Sequence, residues 1–194
     1  MNNKTKAITT TAMLSALSGI LMLMEFPIPI FPSFLKVDFS DLPALLAAFL
    51  INPLSGVLVV FLKNIINIIF TGTATGYIGE MANFIIGTAF VLPAGLIYRR
   101  SKTRAGAVKA MLAGIFSMAV VGGLTNYYIL IPLFTKFIPL DAIIEACNSI
   151  IPFVDSFEKV IIFSVIPFNL LKGIMASLLA LLIYKRLSHI FKNF

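Results

Sequence analysis

Six apolar stretches, broken by short polar or proline-rich interruptions, take up most of this chain. They cover about residues 9–30, 42–51, 54–70, 77–98, 106–133 and 160–187. A helix of roughly 20 apolar residues matches the ~30 Å hydrocarbon core of a bilayer. The pattern therefore predicts an all-α integral membrane protein, a six-transmembrane-helix bundle forming one membrane-embedded domain over residues 1–194. The second run is short for a straight crossing, and the sequence NPLSG at 52–56 separates it from the third by a turn. A hairpin with a tight cytoplasmic turn satisfies that pair.

The segment after the first run, EFPIPIFPSFLKVDFSDLP, carries prolines and charges but no small-residue cleavage site. It predicts a retained span followed by an outer loop, in which Pro27, Pro29 and Pro32 end the helix and keep the chain extended. TGTATG at 71–76 reads as a small-residue outer loop, and the semi-polar stretch 135–159 as an outer loop with a short interfacial helix.

Charge orients this bundle. Only 12% of residues are charged against 59% hydrophobic, whereas soluble domains carry about a quarter charged. Ten of the fifteen Lys and Arg fall in three segments: Lys4 and Lys6; Arg99, Arg100, Lys102, Arg104 and Lys109; and Lys185, Arg186 and Lys192. The positive-inside rule makes all three cytoplasmic, which predicts a multi-pass protein of the cell membrane with both termini inside and an even number of spans. The net charge of +7 is then a topology signal, and no nucleic-acid partner is expected. Cys147 and His189 are the sole residues of their types, which excludes an internal disulfide and gives no metal-ligand spacing. Cys147 reads as a small buried residue and His189 as an exposed tail position. No nucleophile–base pair or glycine-rich phosphate loop stands out, so no catalytic residue, cofactor or metal is expected, and the chain is not read as an enzyme. The absence of a convincing internal repeat counts against an ordinary inverted-repeat transporter.

Polar residues inside the apolar runs need compensation. The third run holds Lys63, Asn64 and Asn67, the fourth Glu80 and Asn83 among Gly76, Gly79 and Gly87, the fifth Asn126, Tyr127 and Tyr128, and the sixth Asn169 and Lys172. One account is interhelical bonding, with Lys63 or Lys172 paired to Glu80. Another is a pocket open to the outside, whose amides suit a neutral, hydrogen-bonding ligand and whose aromatics suit a flat ring. A proton relay is a third.

The segments LKVDFSDLPAL, GEMANF, TNYYILIP and PFNLLKG, with AMLSA in the first run, resemble the substrate-binding S components of energy-coupling-factor (ECF) vitamin transporters, within them the riboflavin-specific type. The resemblance runs over nearly the whole chain. It implies high-affinity binding of riboflavin from outside, with uptake driven by a transmembrane coupling subunit and two ATP-binding subunits, and an S component that topples in the bilayer. The lack of a GxxxxGK motif fits that division of labour. It also implies that Asn126, Asn169 and Lys172 contact the ligand, that Leu35, Phe39 and Tyr127 give apolar cover, and that Glu80, Asn83 and Asp38 are further ligand-binding positions. Ala12 and Ala16, four apart, are similar to the AxxxA strip that docks on the coupling subunit. An S component for another vitamin or precursor, a non-transporting structural subunit and, last, a membrane enzyme remain as alternatives.

Overall fold

The computed structural model describes residues 3–73 and 75–191, with side chains through Tyr184. The side chains of Lys185, Arg186 and His189, and all of Lys192, lie outside the described residues. In chain order the helices are α1 (Asn3–Leu23), α2 (Asp41–Leu50), α3 (Pro53–Thr71), α4 (Ile78–Arg100) and α5 (Arg104–Thr125). A π-helical turn (Asn126–Leu130) carries α5 into one last α turn, α6 (Ile131–Phe134). After α7 (Leu140–Asn148), the chain enters α8 (Phe157–Val160), a second π turn (Ile161–Val165) and α9 (Ile166–Phe191). Strands β1 (Phe26–Pro27) and β2 (Lys36–Val37) pair antiparallel between α1 and α2.

Among the described residues, five continuous helical stretches are long and apolar enough to cross a membrane, beside the shorter apolar helix α2. The six-helix bundle is thus present, with one member ten residues long and buried along its whole length. The first span differs from the expected 9–30. It starts at Asn3, taking in Lys4 and Lys6, and stops at Leu23, four residues before the first proline. Residues 26–27 remain apolar but have left the helix for β1, and a Glu25–Lys36 ion pair of 2.6 Å ties the ladder beside them.

Packing in α1 is inverted relative to a water-soluble helix. Its buried face is Thr11, Ser15, Ser18, Gly19 and Met22, while Ile8, Met13, Leu17 and Ile20 point outward. Thr11 and Ser15 donate back to the carbonyls of Ala7 and Thr11, each at 2.8 Å, so the small polar face leaves few hydroxyls unpaired. A Cβ on Gly19 would lie 2.6 Å from Ile66 Cγ2, so glycine permits the contact with α3. This is the small-residue packing that helices use when lipid removes the hydrophobic drive between them.

The bundle is solid at one end. Around α2 a core of Leu45, Phe49, Val59, Phe90, Tyr98 and Met111 fills the space, with Phe49 stacked on Tyr98 at 4.2 Å. At this end Asn52 caps α3 by accepting from Ser55 N at 2.9 Å, with Pro53 at the first helical position, and Arg99, Arg100, Lys102 and Arg104 line the α4–α5 connection. At the other end, α7 lies over a second apolar cluster that fully buries Cys147, as the sequence leads one to expect.

Candidate ligand-binding site

Helix α2 determines where the molecule is hollow. Ten residues rise about 15 Å, half the hydrocarbon thickness, whereas its hairpin partner α3 has nineteen. Asp41, at the start of α2, is level with Lys63, the eleventh residue of α3. The remaining turns of α3 climb past it with nothing of α2 beside them. That volume is a cavity of about 680 Å³, within the range of small-molecule pockets. Its walls are the end of α3 (Asn67, Thr71), the first turns of α4 (Glu80, Asn83, Gly87), the α5 end and π turn (Met118, Asn126) and α9 (Phe168, Asn169, Lys172). The α1–α2 connection contributes Phe34 and Leu35, and α6, the segment after it and α7 contribute Phe134, Ile138 and Ile143. It occupies the end of the bundle opposite Arg99–Arg104.

The floor is a charge-compensated quartet. Lys172 Nζ lies 2.9 Å from Asp38 Oδ2 and 3.5 Å from Asp41 Oδ2, and Lys63 Nζ lies 2.5 Å from Asp41 Oδ1 and 2.6 Å from Ser40 Oγ. All four charged residues are less than a tenth exposed. Ser40 donates its hydroxyl and its backbone N–H, the latter at 2.7 Å, to Asp38 Oδ1, and Ser18 of α1 donates to Ser40 O at 2.5 Å. Two acids and two bases sum to zero, so no uncompensated charge is buried. The N-terminus of α2 adds its positive dipole end beside both carboxylates. Gly87 keeps α4 close: a Cβ there would lie 2.9 Å from Val60 and 3.2 Å from Asp41 Oδ1.

Above the floor the wall is amide-rich. Asn169 Nδ2 donates to Val165 O at 2.9 Å and Asn126 Nδ2 to Gly122 O at 2.8 Å, both one turn back on their own helices. Each amide keeps its oxygen and a second N–H for a ligand. Asn83 Oδ1 is buried without a hydrogen-bond partner among the described residues and calls for a donor from the cavity. A Cβ on Gly122 would come 2.8 Å from Asn169 Nδ2, so glycine makes room for that amide between α5 and α9. The two π turns begin at Asn126 and end at Val165, so each wider turn lies against one of these amides.

The structure brings Leu35, Glu80, Asn83, Asn126, Asn169 and Lys172 to the cavity wall and sets Asp38 beneath it as the partner of Lys172. Phe39 and Tyr127 are not on the wall. Phe39 stands between the inward-turned Asp38 and Ser40 and packs on Phe26 at 6.3 Å. Tyr127 is rotated one residue past Asn126 and stacks on Phe157 at 4.9 Å. The pairing of Glu80 with Lys63 or Lys172, one of the accounts open from the sequence, does not form. Both cations face acids at the level of α2, while Glu80 sits in the first turn of α4, near the hydroxyls of Thr73 and Thr75 at 3.3 and 3.4 Å. Of Gly76, Gly79 and Gly87, only Gly87 mediates a helix–helix approach; Gly76 has φ +57° in the turn before α4 and Gly79 faces Thr75. Asp41, Phe34 and Phe168 were not singled out from sequence. The signal for Asp41 is its spacing of three from Asp38, with two lysines buried elsewhere in need of acids. Ala12 and Ala16 are exposed on the outer face of α1.

A family model for the substrate-specific component of ECF transporters matches residues 6–184. The riboflavin transporter FmnP of Bacillus subtilis (strain 168) is 32% identical over 185 residues, 95% of this chain and 93% of the relative. The riboflavin transporter RibU of Staphylococcus aureus (strain TCH60) is 33% identical over 188 residues, 97% and 93% of the two chains. A solved structure of the S component of a bacterial ECF transporter aligns with a TM-score of 0.77 at 32% identity, covering 98% of this chain and 99% of that one. A hollow helical bundle, matched in sequence and in fold along its length, this chain belongs to the family of substrate-specific S components of ECF transporters.

Proposed function

We propose that this S component captures riboflavin from outside the cell membrane with high affinity and delivers it to a separate energizing module for uptake. The observation that carries the reading is one cavity joining an apolar, aromatic side to an amide-rich side. Phe34, Leu35, Met118 and Phe168 offer surface to a flat ring system, and Asn83, Asn126, Asn169, Glu80 and Lys172 offer donors and acceptors to ring carbonyls, ring nitrogens and ribityl hydroxyls. Riboflavin is uncharged and rich in such groups, which suits a floor whose charges cancel. The names of the FmnP and RibU relatives support the same ligand.

The basic α4–α5 connection faces the cytoplasm under the positive-inside rule, so the cavity mouth faces outward and both termini lie inside. Residues 1–194 act as one binding domain. Its partners are a transmembrane coupling subunit and two ATP-binding subunits, and the exposed Ala12 and Ala16 form the flat strip on which the coupling subunit packs.

The test is a visible absorption spectrum of the detergent-purified protein followed by titration of flavin fluorescence. Flavin bands and saturable quenching at about one ligand per chain are expected, with the melting temperature rising as ligand is added. A colourless protein that leaves flavin fluorescence unchanged sinks the riboflavin assignment and points to another vitamin or precursor.

A further inference from the structure

Lys63 is the fully buried member of the quartet, at 0% exposure, and it does not line the cavity. Asp41 and Lys172 do. Stability alone gives little reason to keep a buried lysine–aspartate pair, since apolar residues of similar size commonly serve as well. What the pair changes is the state of Lys172. With Lys63 on Asp41 Oδ1, the Lys172 ammonium is held by one hydrogen bond to Asp38 at 2.9 Å and by a looser contact with Asp41 Oδ2 at 3.5 Å, too long for a good hydrogen bond. An ammonium has three N–H donors, so capacity remains toward the cavity. Without Lys63, one cation would face two carboxylates and be drawn down between them.

We propose that Lys63 is a positioning residue for ligand binding: by neutralising Asp41 from below, it keeps the Lys172 ammonium at the cavity floor with an N–H available to the ligand. The inference rests on the reading of this cavity as the riboflavin site and deepens it. Four segments meet in the quartet. Asp38 and Ser40 come from the α1–α2 connection, Asp41 from α2, Lys63 from α3 and Lys172 from α9. The quartet therefore also fixes the connection that carries Phe34 and Leu35 against α9.

The experiment is a riboflavin titration of the full chain and of Lys63→Met, Lys172→Gln and the double variant, with unliganded melting temperatures measured alongside. Lys63→Met is expected to weaken binding by about tenfold or more, a loss on the scale of one well-made polar contact. Added to Lys172→Gln it should cost almost nothing further, because it acts through Lys172. Restoring charge balance with Lys63→Met/Asp41→Asn should recover a large part of the lost affinity. A folded Lys63→Met chain with unchanged affinity overturns the proposal, as does an equal loss in both backgrounds. If Lys63→Met does not fold, the balanced double variant carries the test, and a folded double variant as weak as Lys172→Gln overturns it. A ligand-free readout separates this proposal from the ligand assignment. Acetylation of Lys172 by acetic anhydride, which transfers an acetyl group to Nζ and releases acetate, mapped by mass spectrometry, should slow in Lys63→Met, and an unchanged rate refutes the positioning role even if the intact chain binds no flavin.

Discussion

Asn169 and Lys172 share a face of α9 and a cavity, yet their removal should have different consequences. Asn169 donates only to Val165 O within its own helix. Asn169→Ala should therefore weaken flavin binding by about 1–3 kcal/mol while barely moving the melting temperature of the unliganded chain. Lys172→Ala leaves Asp38 and Asp41 sharing one cation, and breaking such a buried pair costs about 3–5 kcal/mol of stability; thermal unfolding in detergent should show it. Asp38 also predicts a pH response. Burial alone would raise its carboxyl, but the Lys172 and Lys63 ammoniums and the Ser40 hydroxyl outweigh that and hold it well below the usual carboxylate range. Its unfolded value is about 3.9. The stabilisation it brings is complete above about pH 4 and is lost as the pH falls further, toward the folded value. Asp38's contribution to the melting temperature should be flat from about pH 5 to 8 and drop in acid, and Asp38→Asn should lack that part of the drop. Much of the candidate site's lining was legible because a polar group inside an apolar run is costly wherever it points, which exposed Asn126, Asn169, Lys172 and Glu80. Asp41 was hidden because it begins an apolar run at the edge of a polar loop, where an acid is ordinary. Only the folding of α2 into the middle of the bundle makes it a buried charge.

Among the elements, α2 and α3 followed their predicted bounds closely. Asn52 and Pro53 stop one helix and start the next with local chemistry that the sequence states outright. The first span did not, because hydropathy alone carries the run through Ile30, while the backbone leaves the helix after Leu23 to form the β1–β2 ladder. The tightness of the solid half has its own test. A Cβ on Gly56 would lie 2.5 Å from Val91 Cγ1 and 2.9 Å from Ala44 O, a backbone atom that cannot swing aside. Gly56→Leu should pry α3 from α2 and destabilise the chain by about 3 kcal/mol or more. Gly122→Val is milder in stability but local in function. It pushes against the Asn169 amide, so flavin affinity should fall while the helical circular dichroism of the chain is kept.

At the scale of the whole molecule, the proposed binding and docking surfaces are separate. The cavity is enclosed by α3, α4, α5 and α9, while Ala12 and Ala16 face outward on α1. Bulky residues at both alanines should leave flavin titration unchanged and abolish uptake in cells; loss of both activities together would indicate misfolding and remove the docking role. The halving of α2 has a consequence of its own. The floor of the cavity stands where one internal helix begins, and each residue of helix added ahead of Asp41 would raise it by about 1.5 Å. A single internal plug thus sets the depth of the cavity, while the outer helices stay as they are. Lengthening or trimming that plug is a route by which one scaffold is refitted for passengers of different bulk.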